Sequence, residues 1–511
     1  MTEETLGLTQ TARARSPEST PAKGRLLIAG IFLAVLLFAS WSRFYTFFLP
    51  HWQGDQSQYV GLARKLDSEG YGAFNLSRLG IEHITFIRYP EWQYIYPVIL
   101  KEGEPGDFYK AYDMFGIQFN KLPLYHKSPL FPAALVQTHR LLAAYDQPYG
   151  VFATKSDFVL KEMPFNYKFA KAQLWASIVP FLSSLGVIIL TFFLGRMFFG
   201  ARIGLLAMFL QALHPVSIVN AYKILADDFA SFFATACLIL FCYGFSKKSG
   251  PIVIVAGMVH GMGILAKQSL VLYLPSFWIF ILLTEPMDIK DPRTWLKNIL
   301  NKYFLLFVAG SLFICFHWLQ RVYAVYGDPF FQPNIDSTFV SDKTGWFKQV
   351  LTSRPAAIWL FILNIPVLCP LFAFGHLTFF SFIKKIFRSG CENQSRRPVL
   401  LMWLCVLSFL MFFVFRVESR EERYLLPVYP ALSVLSAWGL INVRRWALRR
   451  FGVLRIWIDC FLVALFAWSV LWAVSISLES VFWQRFLVLK PWAAFCSFWS
   501  GSYRMLTPWT Q

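Results

Sequence analysis

Apolar runs of membrane-spanning length recur along almost the whole chain, and that recurrence limits the fold before any motif is read. Spans are expected at about 26–49, 169–195, 203–221, 225–245, 251–266, 269–284, 303–320, 356–383, 398–415, 424–442 and 456–476, each near the roughly 20 residues a bilayer requires. A last apolar stretch, 481–499, either spans or lies in the interface, so the expected total is 11 or 12 helices. In hydrocarbon the backbone must satisfy its own polar groups, and runs of this length do so as helices. The expected fold class is therefore an all-α polytopic membrane protein. Composition agrees: 15% of the 511 residues are charged, against roughly 25% in a soluble domain.

The spans divide the chain. Residues 1–25 are polar and rich in Ser, Thr and Pro, and read as a disordered cytoplasmic tail. Residues 26–49 form an uncleaved first transmembrane helix, because the apolar run is long and no clear cleavage site follows it. Residues 50–167 make a large outer loop carrying juxtamembrane helices. A transmembrane core (168–320), a second outer loop (321–355), further transmembrane helices (356–476) and a C-terminal interfacial or transmembrane segment (477–511) follow.

Charge fixes the orientation. With the amino terminus inside, the inner segments carry 22 Lys and Arg, and the outer segments other than the long first loop carry nine. That is the positive-inside bias. It accounts for most of the net charge of +19 without a nucleic-acid partner, since the basic residues are spread over short loops. The eight cysteines are scattered, most of them inside apolar runs, with no C-x-x-C pair. They read as small apolar side chains.

Within the first loop, His51 to Gly70 shows a second pattern. Tyr59, Leu62, Ala63 and Leu66 recur at helical spacing, while Gln58, Arg64, Lys65 and Asp67 take the other side. This predicts a helix over 55–69 lying on a membrane surface, with Asp55 in its first turn. Asp55 with Gln58 three residues on also fits a helix capping box. A second amphipathic helix is expected after Pro129.

Several ionisable residues converge on the outer ends of spans that are remote in sequence. Asp55 opens the first loop and His126 and Lys127 close it. Asp227 and Asp228 stand at the top of one span, Lys267 in a tight outer turn, and Arg423 just before another span. Singly, each has an ordinary explanation: the acids can cap a helix, and Lys267 and Arg423 can snorkel to the headgroups. Together they suit transfer from a lipid phosphate. A carboxylate takes a proton from an acceptor hydroxyl, and cations hold the departing phosphate.

In this order the motifs resemble those of the GT-C membrane glycosyltransferases that use polyprenyl-phosphate sugars. The nearest likeness is to the family 39-like enzymes and the lipid A aminoarabinose transferases. The matching positions are Asp55, Gln56, Tyr59, Ala63 and Arg64; Lys127-Ser128-Pro129; Leu194 to Gly200; Leu225-Ala226-Asp227; Leu265-Ala266-Lys267; and Arg423-Tyr424 through Pro430. Two positions depart from the pattern. Gln56 replaces the second acid of the first pair, and His126 stands where the aminoarabinose enzymes have a Glu.

The resemblance implies a GT-C-like bundle and an inverting, metal-independent hexosyl or pentosyl transfer that needs no cofactor. Asp55 would be the general base. Arg64, Lys127, Lys267 and Arg423 would bind the lipid phosphate, with His126 and Tyr424 beside them. Asp227 would position the sugar or a partner cation, and Asp228 shares its turn. The expected partners are a polyprenyl-phosphate sugar donor, a lipid-linked or glycan acceptor, and membrane lipid. The expected setting is a bacterial inner membrane with the site on the periplasmic face. A flippase of a lipid-linked sugar, and a polymerase or ligase using diphosphate-linked glycans, are the competing readings. The histidines His214, His260, His317 and His376 lie singly in apolar spans and read as core residues, not ligands.

Overall fold

The computed structural model describes residues 22–44, 54–75, 125, 127–142, 167–284, 296, 298–327, 329–330, 369–379, 397–416 and 422–482. Thirteen helices are labelled here in chain order: α1 Ala22–Phe44, α2 Gly54–Glu69, α3 Leu130–Leu142, α4 Tyr167–Phe199, α5 Ala201–Leu213, α6 Pro215–Asn220, α7 Ala226–Ser246, α8 Gly250–Ala266, α9 Tyr273–Thr284, α10 Lys302–Tyr326, α11 Arg397–Arg416, α12 Tyr429–Arg450 and α13 Arg455–Phe482. There is no strand among the described residues.

Six helical stretches are long and apolar enough to cross a membrane: Gly24–Phe44, Trp175–Phe199, Ala226–Ser246, Lys302–Val325, Arg423–Arg450 and Gly452–Val474. Four shorter apolar helices, Ala201–Leu213, Gly250–Ala266, Gln268–Thr284 and Arg397–Phe412, stand among them. The protein is an all-α, multi-pass membrane protein. The stretch 481–499 lies outside the described residues beyond Phe482, and of 356–383 only 369–379 is described.

The bundle packs around aromatic and small residues. Phe241 of α7 stacks on Phe277 of α9 with ring centroids 4.1 Å apart, and Phe307 of α10 meets both edge-on. Such offset and edge geometries suit the ring quadrupole. The seam between α8 and α10 is made by glycine. A Cβ on Gly261 would stand 2.5 Å from the Ser311 carbonyl oxygen, and one on Gly257 would strike the Phe307 carbonyl. Gly310 of α10 meets the Ile254 carbonyl of α8 in the same way. Small residues let two backbones approach where lipid supplies no hydrophobic drive.

The expected single span over 203–221 is split. Pro215 offers no N–H, and the residue before a proline is pushed out of the helical region. His214 accordingly sits at φ −65° and ψ 117° between α5 and α6. Alone, the 13 residues of α5 reach only about 20 Å. Beyond α6 the chain from Ala221 to Leu225 is buried throughout, and it delivers α7 from inside the bundle's end.

The helix in the first loop forms, but its setting differs from the expected one. Tyr59, Leu62 and Ala63 are buried and Arg64 is exposed, as the periodicity predicts. The apolar face, however, rests on protein and not on lipid. Tyr59, Val60 and Ala63 pack with Phe131, Trp175 and Leu225, while Leu62 packs with Phe74, Tyr125, Trp318 and Val322. Periodicity reports that one face avoids water; it does not say what covers that face. Helix α2 therefore lies across the end of the bundle where α4 and α7 begin and α10 finishes. Helix α3 packs beside it, joined by Arg140 of α3 to Asp67 of α2 at 2.6 Å.

Candidate functional site

Three breaks in helical structure at this end of the bundle bring charge together. The first is the start of α7. Its N-cap is Leu225, whose side chain forms no cap, so Asp227 and Asp228 fall in the first turn, where free N–H groups favour negative charge. The second is the end of α8. Lys267 leaves the helix in an extended conformation, φ −156° and ψ 119°, and its side chain swings clear of the helix axis. The third is the 3-10 turn Glu422–Val428, which carries Arg423 and Tyr424. The Tyr273 hydroxyl holds this turn by donating to the Pro427 carbonyl at 2.9 Å.

Asp227 is the centre. The Lys267 ammonium donates directly to its carboxylate, and the Arg423 Nη1 lies 3.7 Å from Oδ2. Asp227 and Arg423 are both buried, with side-chain exposures of 4% and 7%, whereas Lys267 keeps 21%. The Tyr424 ring completes the group, with the Lys267 nitrogen 4.6 Å and the Arg423 Cζ 5.2 Å from its centroid. Two cations thus converge on one carboxylate and one aromatic face. Burying an ion pair is costly unless neighbours compensate.

Asp228 turns elsewhere. It is buried on the side of Ser184 of α4, within electrostatic reach of Arg43 and Lys223. Arg43, near the end of α1, is fully buried. Its Nε donates to Ser184 Oγ at 2.9 Å and its Nη2 to Ser217 Oγ at 3.0 Å; further bonds reach the Gln211 and Ala212 carbonyls at 3.3 and 3.2 Å. Those two carbonyls belong to the last turn of α5, where backbone oxygens lack helical partners.

The first loop reaches the same end. Ser128 donates to the Ile264 carbonyl of α8 at 3.1 Å, one turn before Lys267, which docks the Lys127-Ser128-Pro129 segment there. The Lys127 nitrogen sits 5.1 Å from the Tyr59 ring centroid. Tyr59 meets Phe131 edge-on at 5.0 Å, and Phe131 meets Phe229 of α7 at 5.8 Å. Arg64 points away from this face, exposed. Asp55 and Gln56 lie in the first turn of α2, but their side chains, with His126, fall outside the described residues.

Of the residues the sequence singles out, Asp227, Lys267, Arg423 and Tyr424 meet in one cluster, and Lys127, ahead of α3, stands over Tyr59 of the helix that covers that end. Arg43, Ser184 and Ser217 were not singled out. One signal was legible: a lone arginine inside an apolar span, where a charge is expensive unless it faces a partner. Of the histidines, His260 is bonded on both sides, to Ser311 Oγ and the Leu270 carbonyl at 2.9 Å each. His214 packs its ring against Tyr429 at 3.9 Å, and its Nε2 has no hydrogen-bond partner among the described residues.

A family model described as dolichyl-phosphate-mannose-protein mannosyltransferase matches residues 167–318, the stretch from α4 to α10 that contains Asp227 and Lys267. Among solved structures, the archaeal oligosaccharyltransferase AglB from Archaeoglobus fulgidus, in complex with an inhibitory peptide and a dolichol-phosphate, superposes with a TM-score of 0.50 at 12% identity over 89% of this chain. The chain has the GT-C fold. It spans only 56% of that oligosaccharyltransferase. A second GT-C structure, ArnT from Cupriavidus metallidurans bound to undecaprenyl phosphate, is similar at a TM-score of 0.47 and 16% identity, covering 93% of this chain and 73% of that one. No curated protein sequence matches the chain.

Proposed function

We propose that this protein transfers a sugar from a polyprenyl-phosphate donor to an acceptor hydroxyl at the outer, periplasmic face of a bacterial inner membrane. The observation that carries the reading is the meeting of Lys267, Arg423 and Asp227, from three elements far apart in the chain, at the bundle end that α2 covers. The matched family model, named for a dolichyl-phosphate-mannose-dependent transfer, and the dolichol-phosphate in the oligosaccharyltransferase complex support the lipid-phosphate class of donor.

The chemistry follows from the groups. Asp55 takes the proton of the acceptor hydroxyl as its oxygen attacks the anomeric carbon from the side opposite the phosphate. The bond from that carbon to the phosphate oxygen breaks, and the phosphate departs with the electron pair. Lys267 and Arg423, with Lys127 nearer the first loop, take up the charge that grows on it; Arg64 faces away and has no part in this step. Asp227 keeps both cations turned toward the site, and Tyr424 offers a ring face to them and to the sugar. Inversion at the anomeric carbon is the expected outcome. Lysine and arginine suffice for a monophosphate leaving group, so no metal is assigned.

The test is an assay in proteoliposomes with an undecaprenyl-phosphate donor carrying a labelled sugar. Label appearing on an acceptor fraction, with release of undecaprenyl phosphate, supports the proposal. Label that crosses the bilayer while still attached to its lipid overturns it in favour of transport.

A further inference from the structure

The end of the bundle away from Asp227 carries a feature that sugar transfer does not use. Helix α12 starts beside the turn that bears Arg423 and buries nearly every residue from Tyr429 to Leu440. From Ile441 to Arg450 it buries none. At 1.5 Å per residue, the helix outruns its close packing by about 15 Å. A 3-10 turn over Gly452–Leu454 follows, and α13 turns back from Arg455.

Two kinds of side chain interleave in this hairpin. Arg445, Arg449, Arg450 and Arg455 are exposed and make no ion pair among the described residues. Trp446, Val453, Ile456 and Trp457 are exposed as well, Val453 completely and Trp457 at 73%. The sequence has no Asp or Glu between Glu422 and Asp459. Asp459 is already taken: Arg444 donates to both of its oxygens, at 2.8 and 3.0 Å, and so ties α13 to the overhanging part of α12.

Neither water nor hydrocarbon suits this mixture. A hairpin set in water would expose a patch of large apolar side chains. One sunk in hydrocarbon would leave four guanidinium groups without counter-charge. The boundary between the two suits both kinds. Tryptophan favours the headgroup level, and from there the planar arginine fork reaches phosphate, whose geometry it matches. Arg445 and Arg449 stand one turn apart on one helix face, where like charges repel. An anion between them relieves that repulsion.

We propose that the α12–α13 hairpin binds the headgroup of an anionic phospholipid. Arg445, Arg449, Arg450 and Arg455 hold its phosphate, and Val453, Ile456 and Trp457 meet its acyl chains. The charge asymmetry of the sequence places this end in the inner leaflet. Exposure and pairing carry this without the transferase reading. The positive-inside bias concerns how many cations one side holds; a headgroup site requires these four in this place.

The test is native mass spectrometry of the full chain, titrated with dioleoylphosphatidylglycerol or dioleoylphosphatidylcholine. The wild type should bind the anionic lipid about tenfold or more tightly than the zwitterionic one. Each cation near an anionic headgroup contributes roughly fivefold. The variant Arg445→Gln/Arg449→Gln/Arg450→Gln/Arg455→Gln should therefore lose nearly all of that preference. Arg202, Lys247, Lys248 and Lys302 are exposed at the same end, and changing all four to Gln removes the same charge. That control should keep the preference to within about threefold, because separated surface charges are screened from the hairpin. No preference in the wild type, or equal loss in both variants, overturns the proposal. If the fourfold hairpin variant fails to insert, Arg449→Gln/Arg450→Gln serves. Its preference should fall about fivefold or more, and an unchanged preference overturns the proposal equally.

Discussion

Asp227 and Asp228 are adjacent in the chain, yet their carboxylates belong to separate charge systems. Asp227 is held by Lys267 and Arg423, whereas Asp228 lies buried in the field of Arg43 with no ion pair to it. Consecutive residues in the first turn of a helix point about 100° apart, and here that angle sends one carboxylate to the α8 end and the other between α1 and α4.

The two acids should therefore fail differently. Asp228→Asn keeps the shape of a buried side chain that makes no ion pair with Arg43, and should melt close to wild type. Asp227→Asn strands the buried Arg423 as well as Lys267 and should cost about 3 kcal/mol or more, seen as a lower melting temperature of the purified protein, with sugar transfer lost. Equal melting losses would contradict the division.

Asp55→Asn should leave expression and melting intact and reduce transfer by about 10²-fold or more, the scale of a lost general base. Initial rates with the labelled donor measure it. Activity near wild type would remove Asp55 from the mechanism.

The cations should act on the phosphate. Lys267→Ala and Arg423→Ala each remove a charged hydrogen-bond donor worth about 1.5–3 kcal/mol, so inhibition by added undecaprenyl phosphate should weaken about tenfold or more in each. Because both cations address one anion, the double variant should lose less than the product of the single losses. Unchanged inhibition in both single variants would place the phosphate elsewhere.

The α8–α10 seam gives a test of packing alone. Gly261→Leu drives a side chain into the Ser311 carbonyl and should cost about 1–3 kcal/mol or more. Gly30→Leu, on α1, meets nothing within 4 Å and should be neutral. Melting of the two variants side by side decides it.

Much of this was legible from residue order. Period and length predict the apolar helices, and the spacing of Tyr59, Leu62 and Ala63 predicts both α2 and its buried face. The outer-end charges predict the meeting of Asp227, Lys267 and Arg423, because a charge in a span needs a polar neighbour. What remained hidden depends on partners distant in sequence. Nothing near Arg43 names Ser184 or the Gln211 carbonyl as its destination. Nothing near Tyr59 says that Phe131, and not lipid, covers it. The break at His214 was hidden for another reason: an apolar run containing one proline satisfies a hydropathy pattern whether or not the helix continues through it.

Lys267 closes a helix whose backbone is locked against α10 by glycine on both sides of the contact. A rod held that tightly cannot slide or roll by part of a turn without losing the fit along its length, so the ammonium stays at one depth and one bearing. Adaptation to guests of different bulk then falls to softer parts, the α2–α3 cover and the turn bearing Arg423. Variation in what this fold accepts should accordingly be written in those two segments, with the lysine serving as their common reference point.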